Sequence, residues 1–199
     1  MSVHPKLIAL HGAKGAGKDL VGTYLRRLSF DAQFFAFGTR LKAICSVAFD
    51  VPMTHFVLDS LKEKPLPNGL TPREIMTRMQ GPLKQEFGDD FFAAPLRAAW
   101  DNARRVGHHL IVTDLRFPVE LRLCRDLDAR VIHVLRPDNN LYAPSDHVSE
   151  AGLPLGACDL TILNSSTKAD LWRVCQDVAL RIYGEDDTNL NVPPPHPST

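Results

Sequence analysis

The sequence predicts an α/β protein, a five-stranded parallel sheet held between two layers of helices. Three observations carry that expectation. Five short apolar runs, Leu7–Leu10, Phe34–Phe37, Leu110–Thr113, Val131–Leu135 and Leu160–Leu163, are continuous rather than alternating, as in strands covered on both faces. Helical stripes lie between and after them: Leu20, Val21, Tyr24, Leu25 and Leu28; Phe117, Leu121, Cys124 and Leu127; Leu171, Val174, Cys175, Val178 and Ile182. Strand alternating with helix requires right-handed crossovers, which leave neighbouring strands parallel.

The first strand runs into "HGAKGAGKDL" (11–20), which fits the phosphate-loop pattern G-x-x-x-x-G-K-[ST] up to its last letter. Gly12, Gly15 and Gly17 let backbone N–H groups turn inward, and the helix that follows adds its positive end. Lys18 is placed to meet the terminal phosphates of a nucleotide as a point charge. Asp19 stands where a hydroxyl residue is usual. Its carboxylate is a hard oxygen ligand, suited to Mg²⁺ directly or through water, and it is also favourable in a first helical turn.

The third run ends in Thr113–Asp114 within "HHLIVTDLRFPVEL" (108–121). An Asp at a strand tip beside a phosphate loop is a second candidate for ordering Mg²⁺. Arg116 would face the same cleft, whereas Pro118 and Glu120 read as an ordinary helix start. Transfer between two anions needs further cations, and Arg40, Lys42, Arg73, Arg78 and Arg136 are the candidates. Arg73 stands out because "TPRE" puts it in the first turn of a helix opened by Thr71 and Pro72.

Between the second and third runs lies a stretch without a strand signal, interrupted by "PLPNGLTP" (65–72) and too long for a simple crossover. It is read as a helical insertion, 40–104, in a single domain of 1–183 whose core is 1–39, 105–135 and 157–183. The Pro- and Gly-rich stretch 136–156 reads as a lid. The tail 184–199 lacks an apolar pattern and is expected to be flexible.

Composition bounds the rest. The chain has 199 residues, enough for one domain with a sizeable core. Lys+Arg and Asp+Glu are each 23, so formal net charge is zero and no broad electrostatic footprint for nucleic acid is expected. The four cysteines form no C-x-x-C pair and read as reduced, buried thiols of a cytoplasmic protein. No apolar run approaches the ~18 residues of a membrane span, and no signal-peptide pattern opens the chain.

Taken in order, "GAKGAGKD", "FAFGTRLK" (35–42), "TPREIMTRMQGPLKQEFGDDFF" (71–92), "VTDLRFPVE" (112–120), "SDHVSE" (145–150) and "LTILNSSTKADL" (160–171) resemble phage deoxynucleoside monophosphate kinases, within the P-loop nucleoside monophosphate kinase group. The resemblance covers most of residues 6–183. It implies a three-layer α/β/α P-loop fold and Mg²⁺-dependent transfer of the ATP γ-phosphoryl group to a deoxynucleoside monophosphate. Gly12, Ala13, Gly15, Ala16, Gly17, Lys18, Asp19 and Leu20 would hold ATP, with Asn164 and Ser165 against the adenine. Asp19 and Asp114 would serve Mg²⁺. Arg40 and Arg73 would hold the acceptor phosphate, Gln80 and Asp89 its sugar or base, and Lys42, Arg116, His147 and Glu150 would complete the acceptor side. Arg136 would act from the lid beside Lys18 and Asp114 in catalysis. The partners implied are small molecules, with neither membrane nor nucleic acid; a homodimer is compatible. Phosphomevalonate kinases and a phage kinase of hydroxymethylated pyrimidines in DNA share the loop and are the rival readings. A nucleotide-dependent switch is the rival from another class.

Overall fold

A computed structural model describes residues 4–137, 153 and 155–194. The chain divides into two compact units, 1–36 with 96–199 and 37–95.

The larger unit is built on one sheet of order β2-β3-β1-β4-β5, every pairing parallel. Its strands are β1 (Leu7–His11), β2 (Ala32–Phe35), β3 (His109–Leu115), β4 (Arg130–Leu135) and β5 (Leu160–Leu163). All five expected strands are present. β1 is buried at every residue, as its unbroken apolar run requires. The two edges differ from the expectation of cover on both faces. β2 lies two residues earlier than its apolar run suggests, and Phe34 remains 42% exposed beneath the Arg26 guanidinium, 5.0 Å from the ring centre. An edge strand has one free side, so its side chains need not be enclosed.

Helices α1 (Lys18–Leu28) and α8 (Lys168–Tyr183) cover one face. Val21, Tyr24, Leu25 and Leu28 meet Leu171, Trp172, Cys175 and Ile182 over Ile8, Leu10, Ile111, Ile132, Val134 and Ile162. Tyr24 stands edge-on to Trp172 at 5.0 Å between ring centres, joining the two helices. Each such enclosed side chain contributes roughly 1.5–3 kcal/mol through removal from water. Thr167 caps α8 by accepting from the Asp170 amide, and the Asp170 carboxylate answers at the Thr167 amide.

The unit's other described α-helices are α6 (Pro95–Arg105) and α7 (Pro118–Asp126), neither of them part of the α1–α8 core. The α7 stripe differs from the sequence reading: the buried residues are Glu120, Leu123 and Cys124, and Leu121 is only half-buried. Glu120 explains the rotation, since its carboxylate accepts from the Arg116 and Phe117 amides and so turns inward. The tail also departs from the flexible expectation. Thr188 is buried, bridges to Ser29, and the Asn189 amide donates to the Leu28 carbonyl at 2.7 Å. Val192 packs against the main core.

The smaller unit, 37–95, contains α2 (Gly38–Phe49), α3 (Met53–Val57), α4 (Asp59–Lys62) and α5 (Pro72–Phe87). It has its own core of Leu41, Cys45, Phe56, Ile75 and Phe92. It begins three residues before the expected 40–104 and ends nine residues short of it, because α6 from Leu96 onward belongs to the larger unit and buries Leu96, Trp100 and Ala103 there. The Thr71 capping box fixes the start of α5, and the helix continues through Pro82.

Candidate functional site

The site grows from the carboxyl end of β1. At Gly12 (φ 148°) the chain passes so close to β4 that a Cβ would lie 2.3 Å from the Val134 carbonyl oxygen. No other residue fits there. Gly17 (φ 99°, ψ 18°) then occupies the left-handed region at the N-cap of α1, which starts with no side-chain cap. A turn of this kind aims successive amides inward and forms a concave anion cradle.

Lys18 closes over the turn. Only 9% exposed, its Nζ donates to the carbonyl oxygens of Gly12 at 2.7 Å and Ala13 at 2.8 Å. Burial and the Arg116 guanidinium hold its pKa down at about 8, while Asp19 and Asp114 pull it the other way. Four residues singled out from the sequence thus share one electrostatic neighbourhood: Lys18, Asp19, Asp114 and Arg116. Asp19 is exposed in the first turn of α1, and Asp114 is half-buried on β3. Two carboxylates beside such a turn offer hard oxygen ligands of the kind Mg²⁺ takes. Glu120 has the structural role expected of it, fixing the turn after β3 that carries Arg116.

Asn164, expected beside the adenine, has partners in the loop and in β4. Its Nδ2 donates to the Ala16 carbonyl at 2.9 Å, and its backbone amide donates to Leu135 at 2.7 Å. The side chain ties β5's end to the loop. Ser165 beside it is exposed. Ala16 is buried, Ala13 and Leu20 half-buried.

In the smaller unit, two of the expected acceptor residues, Arg73 and Arg40, have protein partners. The Arg73 Nε donates to the Glu63 carboxylate. The Arg40 Nη1 donates to the Phe91 carbonyl at 2.7 Å, and its guanidinium lies 4.5 Å from the Phe91 ring centre. Lys42 and Gln80 are half-buried, and Asp89 is exposed just beyond α5. Arg136 is exposed at the end of β4. His147, Glu150 and most of the expected lid lie outside the described residues.

Two buried histidines escaped the sequence reading. His11, 5% exposed, pairs across the sheet with His133, 8% exposed, their ring centres 5.3 Å apart. Burial lowers both pKa values. The available signal was their position: each interrupts an apolar strand near its carboxyl end, the edge where such sheets bind ligands.

A glycine-rich turn and its lysine at the first strand–helix junction of a five-stranded parallel sheet fit a three-layer α/β/α P-loop fold. Two solved structures share it: dephospho-CoA kinase from Campylobacter jejuni (TM-score 0.52, 16% identity, covering 90% of this chain and 98% of that one) and TT1252 from Thermus thermophilus (0.51, 16%, 89% and 98%). Residues 85–174 match the family model of deoxynucleotide monophosphate kinase. A deoxynucleotide monophosphate kinase of Escherichia phage RB69 is 36% identical over 64 residues, 32% of this chain. The matched stretch spans only a quarter of that relative's length. The chain therefore resembles the phage-type deoxynucleoside monophosphate kinases over its β3–β5 half, as its sequence segments indicate.

Among the described residues, no helix is long and apolar enough to cross a membrane. Cys45, Cys124, Cys158 and Cys175 are unpaired thiols, and burial raises the pKa of each.

Proposed function

We propose that the protein transfers the γ-phosphoryl group of ATP to a deoxynucleoside 5′-monophosphate. The observation that carries this reading is Lys18, a buried ammonium bonded to the carbonyls of its own glycine-rich turn with Asp19 and Asp114 acting on it. The family match over residues 85–174 supports a nucleotide acceptor over a mevalonate phosphate or DNA.

In this mechanism Lys18 leaves the Gly12 and Ala13 carbonyls and donates to the terminal phosphates, while the amides of the turn hold the rest of the chain of phosphates. Asp19 and Asp114 would hold Mg²⁺, which would supply charge neutralisation on the donor. Arg73 exchanges the Glu63 carboxylate for the acceptor's phosphate, and Arg40 serves the same anion. The attacking oxygen is already an anion at neutral pH, so no residue is required as general base. Catalysis rests on positioning and on cations aimed at the transferring oxygens.

The test is ADP formation from ATP with each deoxynucleoside monophosphate, with mevalonate phosphate, with duplex DNA and with no acceptor. Turnover dependent on a deoxynucleoside monophosphate, and lost in a folded Lys18→Ala protein, is expected. Nucleotide binding without acceptor-dependent turnover would identify a switch instead, and turnover on mevalonate phosphate or DNA alone would identify the rival kinases.

A further inference from the structure

The residue before the phosphate loop, His11, makes two hydrogen bonds that no part of the mechanism above uses. Its Nδ1 lies 3.2 Å from the Leu115 carbonyl oxygen. Its Nε2 lies 3.2 Å from the Leu153 amide nitrogen. A carbonyl only accepts and a backbone amide only donates, so the two contacts fix the ring chemistry together. Nδ1 carries the proton and Nε2 is bare. A protonated imidazolium would present two donors and set one of them against the Leu153 N–H. Burial is the main reason the ring stays neutral, and His133 on β4 and the Lys18 ammonium on α1 add to it, outweighing the Leu115 carbonyl.

The three tethered points belong to the nucleotide side of the sheet. His11 adjoins Gly12. Leu115 sits between Asp114 and Arg116, and β1 and β3 lose regular register just there, between Ala9 and His11. Where the ladder is irregular, the backbone alone does not fix how far the Asp114 strand end stands from the loop, and a side-chain tie takes that place. Leu153, only 7% exposed, brings the chain back against the same strand end.

We propose that His11 is a positioning residue of the phosphate loop: as the Nδ1–H tautomer it ties the Leu115 carbonyl and the Leu153 amide to the start of the loop, holding Asp114 and Arg116 in register with Lys18. The proposal rests on the loop's being a nucleotide site, and it concerns binding rather than transfer.

The experiment measures ATP affinity in the presence of Mg²⁺ by calorimetry for the wild type, His11→Phe, His11→Asn and His11→Gln, with melting curves for each. Asn carries a donor near the Nδ1 position and Gln an acceptor near the Nε2 position. His11→Phe, which loses both bonds, is expected to bind ATP about tenfold more weakly. His11→Asn and His11→Gln should each recover part of that loss. The Leu153 amide resonance should shift in the Phe and Asn variants and stay near its wild-type place in the Gln variant. ATP affinity within twofold of wild type in His11→Phe would overturn the proposal. The wild type supplies an independent check should a variant fail to fold: at neutral pH the ¹⁵N spectrum of the His11 ring should report Nδ1–H, and an Nε2–H or doubly protonated ring would overturn the assignment. Tight, His11-dependent ATP binding without transfer to any acceptor would leave this proposal standing and remove the kinase reading alone.

Discussion

At the scale of single residues, Lys18 makes a titration prediction. Its pKa of about 8 lies below the ordinary lysine value of 10.5, so the folded protein disfavours the charged form. Between those two pH values the unfolded chain binds more protons than the folded one, so this group's contribution to stability rises with pH across that window. Phosphates entering the cradle favour the ammonium again. Calorimetry in buffers of different ionisation enthalpy at about pH 9 should therefore detect proton uptake on ATP binding. Binding without uptake would place the phosphates away from Lys18. Arg73 gives a second prediction: Arg73→Ala should raise KM for the acceptor by about tenfold or more while leaving KM for ATP within a few-fold. Equal effects on both substrates would contradict its assignment to the acceptor. Residue neighbourhoods were legible in the sequence where spacing sets them, as with Lys18, Asp19 and Asp114. They were illegible where a partner distant in sequence decides. Nothing local to Asn164 reveals that its amide meets Ala16, and nothing near His11 reveals that Leu115 and Leu153 converge on it.

At the scale of elements, the loop between β1 and α1 separates two kinds of glycine. Gly12 faces backbone, the Val134 carbonyl, whereas Gly17 faces the tip of a side chain, the Asn164 amide 2.4 Å from an added Cβ. Gly12→Ala must push β1 and β4 apart and should cost stability, about 2–4 kcal/mol by urea denaturation. Gly17→Ala can displace the Asn164 side chain and should chiefly weaken ATP binding with a smaller change in stability. The reverse ordering would mean that the loop is not held between these two supports. Strand existence was readable because continuous apolar runs have few alternatives in an alternating chain. Edge position was not: Phe34 reads as a core residue, and only the sheet order leaves it at a border. The α7 stripe was misjudged for a physical reason as well. A carboxylate occupied with two backbone amides can turn toward the interior, and hydropathy alone assigns Glu120 to the outside.

At the scale of the whole molecule, the tail belongs to the core unit. Truncation after Gly184 removes the Asn189–Leu28 hydrogen bond, the Ser29–Thr188 bridge and the packing of Val192. The expected loss is about 2 kcal/mol, a drop of roughly 4–8 °C in melting temperature. An unchanged melting curve would make the segment ornamental. Its polar, proline-rich composition hid this docking, which depends on a few isolated residues instead of a periodic face. The open β2 border has a consequence of another kind. With 23 basic and 23 acidic residues, copies of this chain exert no overall repulsion at neutral pH. Resistance to strand-by-strand coalescence must then be supplied locally, and the Arg26 guanidinium over Phe34 sets a charge beside that border.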